Sequence, residues 1–138
     1  MNTQQELAER LDAIRERLDN DDFLNNRGLG NEIGFYIFDY PPQFELMVRD
    51  YLALLVGRMA KLGRRFVHLN LFDEMLAMLQ ERKLLDKAFE LEKKKGIDEL
   101  AKALKGPLEQ GRVAQHLVKK MDPSAQEFVL LSGLGQCW

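Results

Sequence analysis

The stretch IGFYIFDYPPQFELMVRDYLALLVGRMAKLGRRFVHLNLFDE, residues 33–74, carries the pattern that decides the fold class. From 33 to 38 aromatic and β-branched residues run almost without a break, which suits a strand covered on both faces, as in a parallel sheet. Asp39 ends the run. Pro41 and Pro42 then permit a helix to begin, because the first helical turn has no use for those amide hydrogens. Leu46, Met47, Val48, Tyr51, Leu52, Leu54, Leu55, Val56, Met59 and Leu62 give that helix a broad apolar face up to Gly63, a natural C′ residue, so it is expected to be largely buried. Residues 64–71 alternate and then run apolar, giving a second strand, after which Asp73 and Glu74 favour a new helix by opposing its positive end. Strand, long helix and strand in succession imply a right-handed crossover between two parallel strands.

Upstream, Leu7, Leu11, Ile14 and Leu18 recur at steps of four and three among charged neighbours, which predicts an amphipathic helix over 3–19. Asn20, Asp21, Asp22, Asn25, Asn26, Gly28 and Gly30 then break the period, and this stretch reads as a loop. Downstream, the pattern from Glu74 to Met121 is helical throughout. Punctuation at Gly96, at Gly106 with Pro107, and at Gly111 divides it into three or four short helices. Asp122, Pro123 and Ser124 stop the last of them, and 127–131 supplies a third strand before Ser132, Gly133, Leu134 and Gly135. The expected architecture is a single α/β domain over 1–138: a short parallel sheet of about three strands, helices on both faces, and a helical insertion between strands two and three. A buried strand leading into a glycine turn normally feeds a crossover helix. Three strands and an apolar end are therefore the pattern expected of a C-terminally truncated piece.

Twenty Lys and Arg against twenty-two Asp and Glu leave the 138 residues at a formal charge of −2. That balance excludes a basic nucleic-acid arm or an acidic tail as the dominant theme. An apolar share of 46% with 30% charged residues is ordinary globular composition. The longest apolar run, 51–56, is far below the roughly twenty residues of a membrane-spanning helix. A single cysteine, Cys137, forms no internal bridge, and with no leader pattern at the start the expectation is a reducing cytoplasm.

Each candidate for chemistry has a structural alternative that fits its surroundings better. Gly133, Leu134 and Gly135 follow a strand, where phosphate-cradling loops occur, but the Lys and the Ser or Thr of a P-loop are missing after them, so a structural turn is favoured. Asp39 closes a strand as a magnesium-binding carboxylate does in many ATPases. Without a phosphate loop, an N-cap role ahead of Pro41 is favoured instead. Gly28 and Gly30 precede a strand, the wrong order for a dinucleotide fingerprint. His68 lies mid-strand and His116 on a helix, neither with partners at metal-ligand spacing, and Cys137 has no histidine nearby. Arg58, Lys61, Arg64 and Arg65 cluster at a helix end and Lys93, Lys94 and Lys95 form a second basic run. Both read as solvated faces, since only Phe66 offers an aromatic beside them. No cofactor and no metal is expected.

Function is carried by a resemblance. Gly28-Leu29-Gly30-Asn31-Glu32, followed by Phe35-Tyr36-Ile37-Phe38-Asp39-Tyr40-Pro41-Pro42, resembles the signature of the BrxB family from bacterial BREX phage-defence systems. Leu71-Phe72-Asp73, Leu91-Glu92-Lys93-Lys94-Lys95-Gly96 and Leu131-Ser132-Gly133-Leu134-Gly135 extend the likeness over most of the chain from Phe23 onward. Members of that family usually continue past the equivalent of Trp138, in keeping with truncation. The resemblance implies a cytoplasmic, non-enzymatic component of a complex that recognises and blocks infecting phage DNA while host DNA is methylated. It implies PglZ as a partner, and the large BREX ATPase as a further one, with DNA met only indirectly and no membrane. It brings no catalytic residues. Interface cores favour aromatic and apolar side chains, which makes Tyr40, Pro41, Pro42 and Phe44 the expected partner contacts, with core packing as their alternative role. Two other classes are a degenerate nucleotide-binding domain, with Gly133 to Gly135 beside Asp39, and a DNA-binding subunit using Arg58, Lys61, Arg64 and Arg65.

Overall fold

In a computed structural model, residues 3–24 and 35–134 are described, and they fall into two units divided after Arg65. The first holds α1 (Gln4–Leu18), α2 (Asp21–Leu24), a 3-10 turn (Pro42–Phe44) and α3 (Glu45–Lys61). The second runs β1 (Phe66–Asn70), α4 (Leu71–Glu81), α5 (Leu85–Lys95), α6 (Ile97–Leu104), α7 (Gln110–Met121) and β2 (Phe128–Ser132).

Helix α1 starts where its sequence says it should. The Thr3 hydroxyl accepts the Glu6 amide at 3.1 Å and the Glu6 carboxylate accepts the Thr3 amide at 3.2 Å, a reciprocal capping box. The buried residues of this helix are Leu7, Leu11 and Leu18, three of the four positions that the period predicts, with Ile14 half-buried. Helix α3 packs against α1. Tyr51 donates to Asp12 at 2.7 Å and Arg58 donates to Asp19 at 3.3 Å, fixing the pair. At its C-terminus the Gly63 amide bonds Ala60 O and the Arg64 amide bonds Met59 O, with Gly63 at φ +73. This is a Schellman stop, and the left-handed position is why glycine stands there. The expectation of a largely buried α3 is corrected: Leu55 and Met59 are buried, whereas Leu46, Leu54 and Leu62 stand exposed. Apolar residues around a helix say that it needs cover, and α1 covers one side only.

The second unit is a small α/β arrangement, a parallel two-stranded sheet flanked by helices. β1 and β2 pair in the register Phe66↔Phe128 to Asn70↔Ser132, with four helices between them in the chain. The Phe66 and Phe128 rings stack at 5.1 Å between centroids and 9° between planes. Stacking of directly opposed aromatics locks that register. Leu69, Met78, Leu79 and Leu117 are the buried apolar residues of the unit. Helix α4 leaves β1 without a loop, because Asn70 ends the strand and caps the helix, accepting the Asp73 amide at 3.1 Å. It ends on Lys83, held at φ +56 in a second Schellman stop.

The strand count is also corrected. The sheet has two strands, and these are the expected second and third. Of the expected first strand, 33 and 34 lie outside the described residues, and 35–38 carry no sheet pairing. A β-rich run says what surface a segment suits, not which chain lies beside it.

Candidate functional site

The segment leading into α3 is bound to its own unit by side chains. Phe38 lies under the Arg10 guanidinium, 4.5 Å from ring centroid to Cζ, and 5.9 Å from the Tyr40 ring. The same Arg10 donates to Asp39 at 3.3 Å. The N-cap role expected for Asp39 is not found: Pro41 occupies the N-cap of the 3-10 turn, with no side-chain cap bond. An exposed carboxylate beside a guanidinium has a charged partner to prefer over an amide.

Tyr40 is half-buried and donates its hydroxyl to Glu45 at 2.6 Å, while Arg49 donates to the other Glu45 oxygen at 2.8 Å. Burial, and then the negative charge and hydrogen bond of Glu45, push the Tyr40 phenol up to about 12. The hydrogen bonds from Tyr40 and then from Arg49 hold the Glu45 carboxyl below its ordinary range. Pro41 and Phe44 are half-buried and Pro42 is exposed. Sequence reasoning therefore named a set in which Tyr40 serves mainly as an anchor. The more accessible apolar residues lie just upstream and downstream: Phe35 is 86% exposed, Ile37 93% and Leu46 72%. The aromatic and β-branched character of Phe35 and Ile37 was readable but was assigned to a buried strand, and Leu46 was assigned to the buried face of the following helix.

In the second unit the carboxyl ends of the parallel strands form a polar cluster. His68 Nε2 and Ser132 Oγ share a hydrogen bond of 2.7 Å across the sheet. Burial pushes the His68 imidazole below its ordinary value, against a smaller opposing pull from Asp73, so the ring is neutral at pH 7. Gly133, at φ +79, packs so close to Asn70 that an added Cβ would fall 2.4 Å from its Oδ1. The glycine is thus a packing requirement of the strand end, as expected for a structural turn. In the first turn of α4, His116 Nε2 and Lys120 Nζ both meet Glu74 Oε2, at 2.7 and 2.8 Å. The Glu74 and His116 side chains are only 13% and 11% exposed. Burial alone would raise the Glu74 carboxyl, but the hydrogen bonds from Lys120 and His116 outweigh it and hold the group low. Neither histidine belongs to a metal cluster among the described residues.

Two of the four basic groups around the end of α3, Arg58 and Arg64, are engaged in ion pairs within the unit. Arg58 pairs with Asp19, and Arg64 pairs with Asp21 at 2.7 Å while donating to Asp19 O at 2.9 Å. Such internal pairing leaves less free positive charge for a polyanion. Asp39 and Gly133 belong to different units and are each described within their own. Gly28, Gly30, Gly135 and Cys137 lie outside the described residues. No described helix is long and apolar enough to cross a membrane.

Taken by fold, this is a small α/β protein with a parallel strand pair and a separately anchored aromatic segment. By sequence it belongs to the BrxB family. The family model described as "BREX protein BrxB" matches residues 67–138. The chain is 46% identical over 132 residues to the BREX protein BrxB of Escherichia coli O9:H4 (strain HS), covering 96% of this chain and 66% of that relative. It is 35% identical over 135 residues to the BREX protein BrxB of Bacillus cereus (strain H3081.97), covering 94% of this chain and 69% of the relative. The chain thus spans about two thirds of the length of both relatives. No solved structure matches it.

Proposed function

We propose that the chain is a non-catalytic protein–protein interaction module of a cytoplasmic BREX antiphage defence complex, and that its partner is PglZ. The observation that carries this reading is the apolar surface at 35–46. Phe35, Ile37 and Leu46 stand in solvent, on a segment whose Tyr40 is tied down by Glu45. Anchored aromatic and aliphatic side chains around a rigid turn are the composition of interface centres, where Lys and Glu are depleted. Tyr40, Pro41, Pro42 and Phe44 form the stem of that surface, and Phe35, Ile37 and Leu46 its contacts. Membership of the BrxB family supplies the BREX context.

The test is affinity capture from a strain that co-expresses the tagged chain with PglZ. PglZ is expected to co-purify with the wild-type chain and to be lost with the pair Phe35→Asp and Ile37→Asp, while Lys94→Asp on α5 has no effect. Equal recovery of PglZ with all three proteins would overturn the assignment of this surface.

A further inference from the structure

Residues 35–40 have the side-chain alternation of a β-strand and none of its hydrogen bonds. Phe35, Ile37 and Asp39 project into solvent. Phe38 and Tyr40 are half-buried, Phe38 under Arg10 and Tyr40 bonded to Glu45, while Tyr36, still 49% exposed, leans on the Phe23 ring at 4.8 Å between centroids. A division of period two is what a pleated strand shows when one face rests on a support. Among the described residues no main-chain hydrogen bond joins 35–40 to other backbone. The following Pro41 and Pro42 close the stretch, because proline cannot extend a ladder. What remains is about six residues, a normal strand length.

We propose that residues 35–40 are an edge strand completed by β-augmentation, and that the added strand comes from a partner protein. The amides and carbonyls along one edge of such a segment are satisfied together by another extended chain. Its outward face dictates the partner's chemistry: apolar side chains opposite Phe35 and Ile37, and a Lys or Arg opposite Asp39. A second copy of the chain fits poorly. Antiparallel self-pairing centred on Ile37 sets each Asp39 against the other copy's Phe35, and in-register parallel pairing sets the two Asp39 carboxylates side by side, which is destabilising. The edge also lacks the lysines with which unpaired strands are usually guarded. This inference rests on the reading of the chain as an interaction module and specifies how that surface works.

Amide hydrogen exchange of the full chain, free and in complex with purified PglZ, tests it. Exchange is expected to slow by about tenfold or more in the complex at alternate amides, 36 and 38 or 37 and 39, as ladder hydrogen bonds form on one edge. Ile37→Pro and Phe38→Pro each remove one donor without adding charge, and the one whose amide faces the added strand is expected to weaken PglZ binding by about tenfold or more, while Ile37→Val leaves it nearly unchanged. A complex that forms with unchanged exchange at 36–39, or that tolerates both proline variants, overturns the strand proposal and leaves the module reading standing. Absence of any complex overturns the PglZ assignment and this inference with it. Protection that grows with the chain's own concentration, with doubled mass and no PglZ present, assigns the edge to a second copy and overturns the partner strand.

Discussion

β1 and the segment at 35–40, FVHLN and FYIFDY, are both short runs rich in aromatic and branched apolar residues, and they have quite different fates. β1 lies in register beside β2, its Leu69 buried and its Phe66 stacked on Phe128. The upstream segment rests on side-chain contacts and holds Ile37 out in water. The difference teaches that strand character is a local property and strand pairing a distant one. β1 meets a partner more than fifty residues on, as far as Phe66 is from Phe128, and the segment at 35–40 meets none among the described residues.

The largest test of that contrast truncates one residue on each side. Leu69→Ala is expected to cost about 3 kcal/mol, a buried leucine left as a cavity, whereas Ile37→Ala stays within about 0.5 kcal/mol because nothing covers it. Urea unfolding followed by circular dichroism measures both, and a comparable loss for Ile37→Ala would show that the upstream segment is packed after all.

Next in size is Gly133→Ala at the end of β2. The methyl group would collide with Asn70, and the residue would have to hold φ +79, so a loss of about 2–3 kcal/mol is expected from strain and a weakened α4 cap together. An unchanged melting temperature would mean that Asn70 moves aside freely.

The smallest effect is the pH response of the second unit. His68 and Glu74 both have folded values below their ordinary 6.5 and 4.5, so the unfolded chain binds each proton more readily than the folded one. Stability is therefore complete above pH 6.5, declines first as His68 takes a proton, and declines again below 4.5 as Glu74 does. His68→Asn is expected to remove the first decline and Glu74→Gln the second, read as urea midpoints at pH 7, 5.5 and 4. The segment at 35–40 has no histidine, and its variants should leave both declines in place.

Much of this architecture was readable one residue at a time. The α1 stripe of Leu7, Leu11 and Leu18, the stop at Gly63, the two strands of the sheet and the helical run between them all follow from spacing over a few residues. What escaped the sequence was pairing over distance. Asp39 looked like a cap and instead meets Arg10, 29 positions away. Arg58 and Arg64 looked like a free basic patch and instead close on Asp19 and Asp21. Glu74 looked like a helix-start acid and also receives His116 and Lys120.

Family membership, the bounds of α1 and the end of α3, and the β character of three segments were properties of the chain's own order, because periodicity, caps and turns act between neighbours. By contrast, α2 stood in a stretch read as loop, and the break between α4 and α5 carried no glycine or proline to announce it. Which two of those segments became a sheet, which cations stayed free and which apolar residues remained in water were settled in three dimensions. Ladder bonds, ion pairs and burial depend on what arrives from far along the chain, and no local pattern records that arrival.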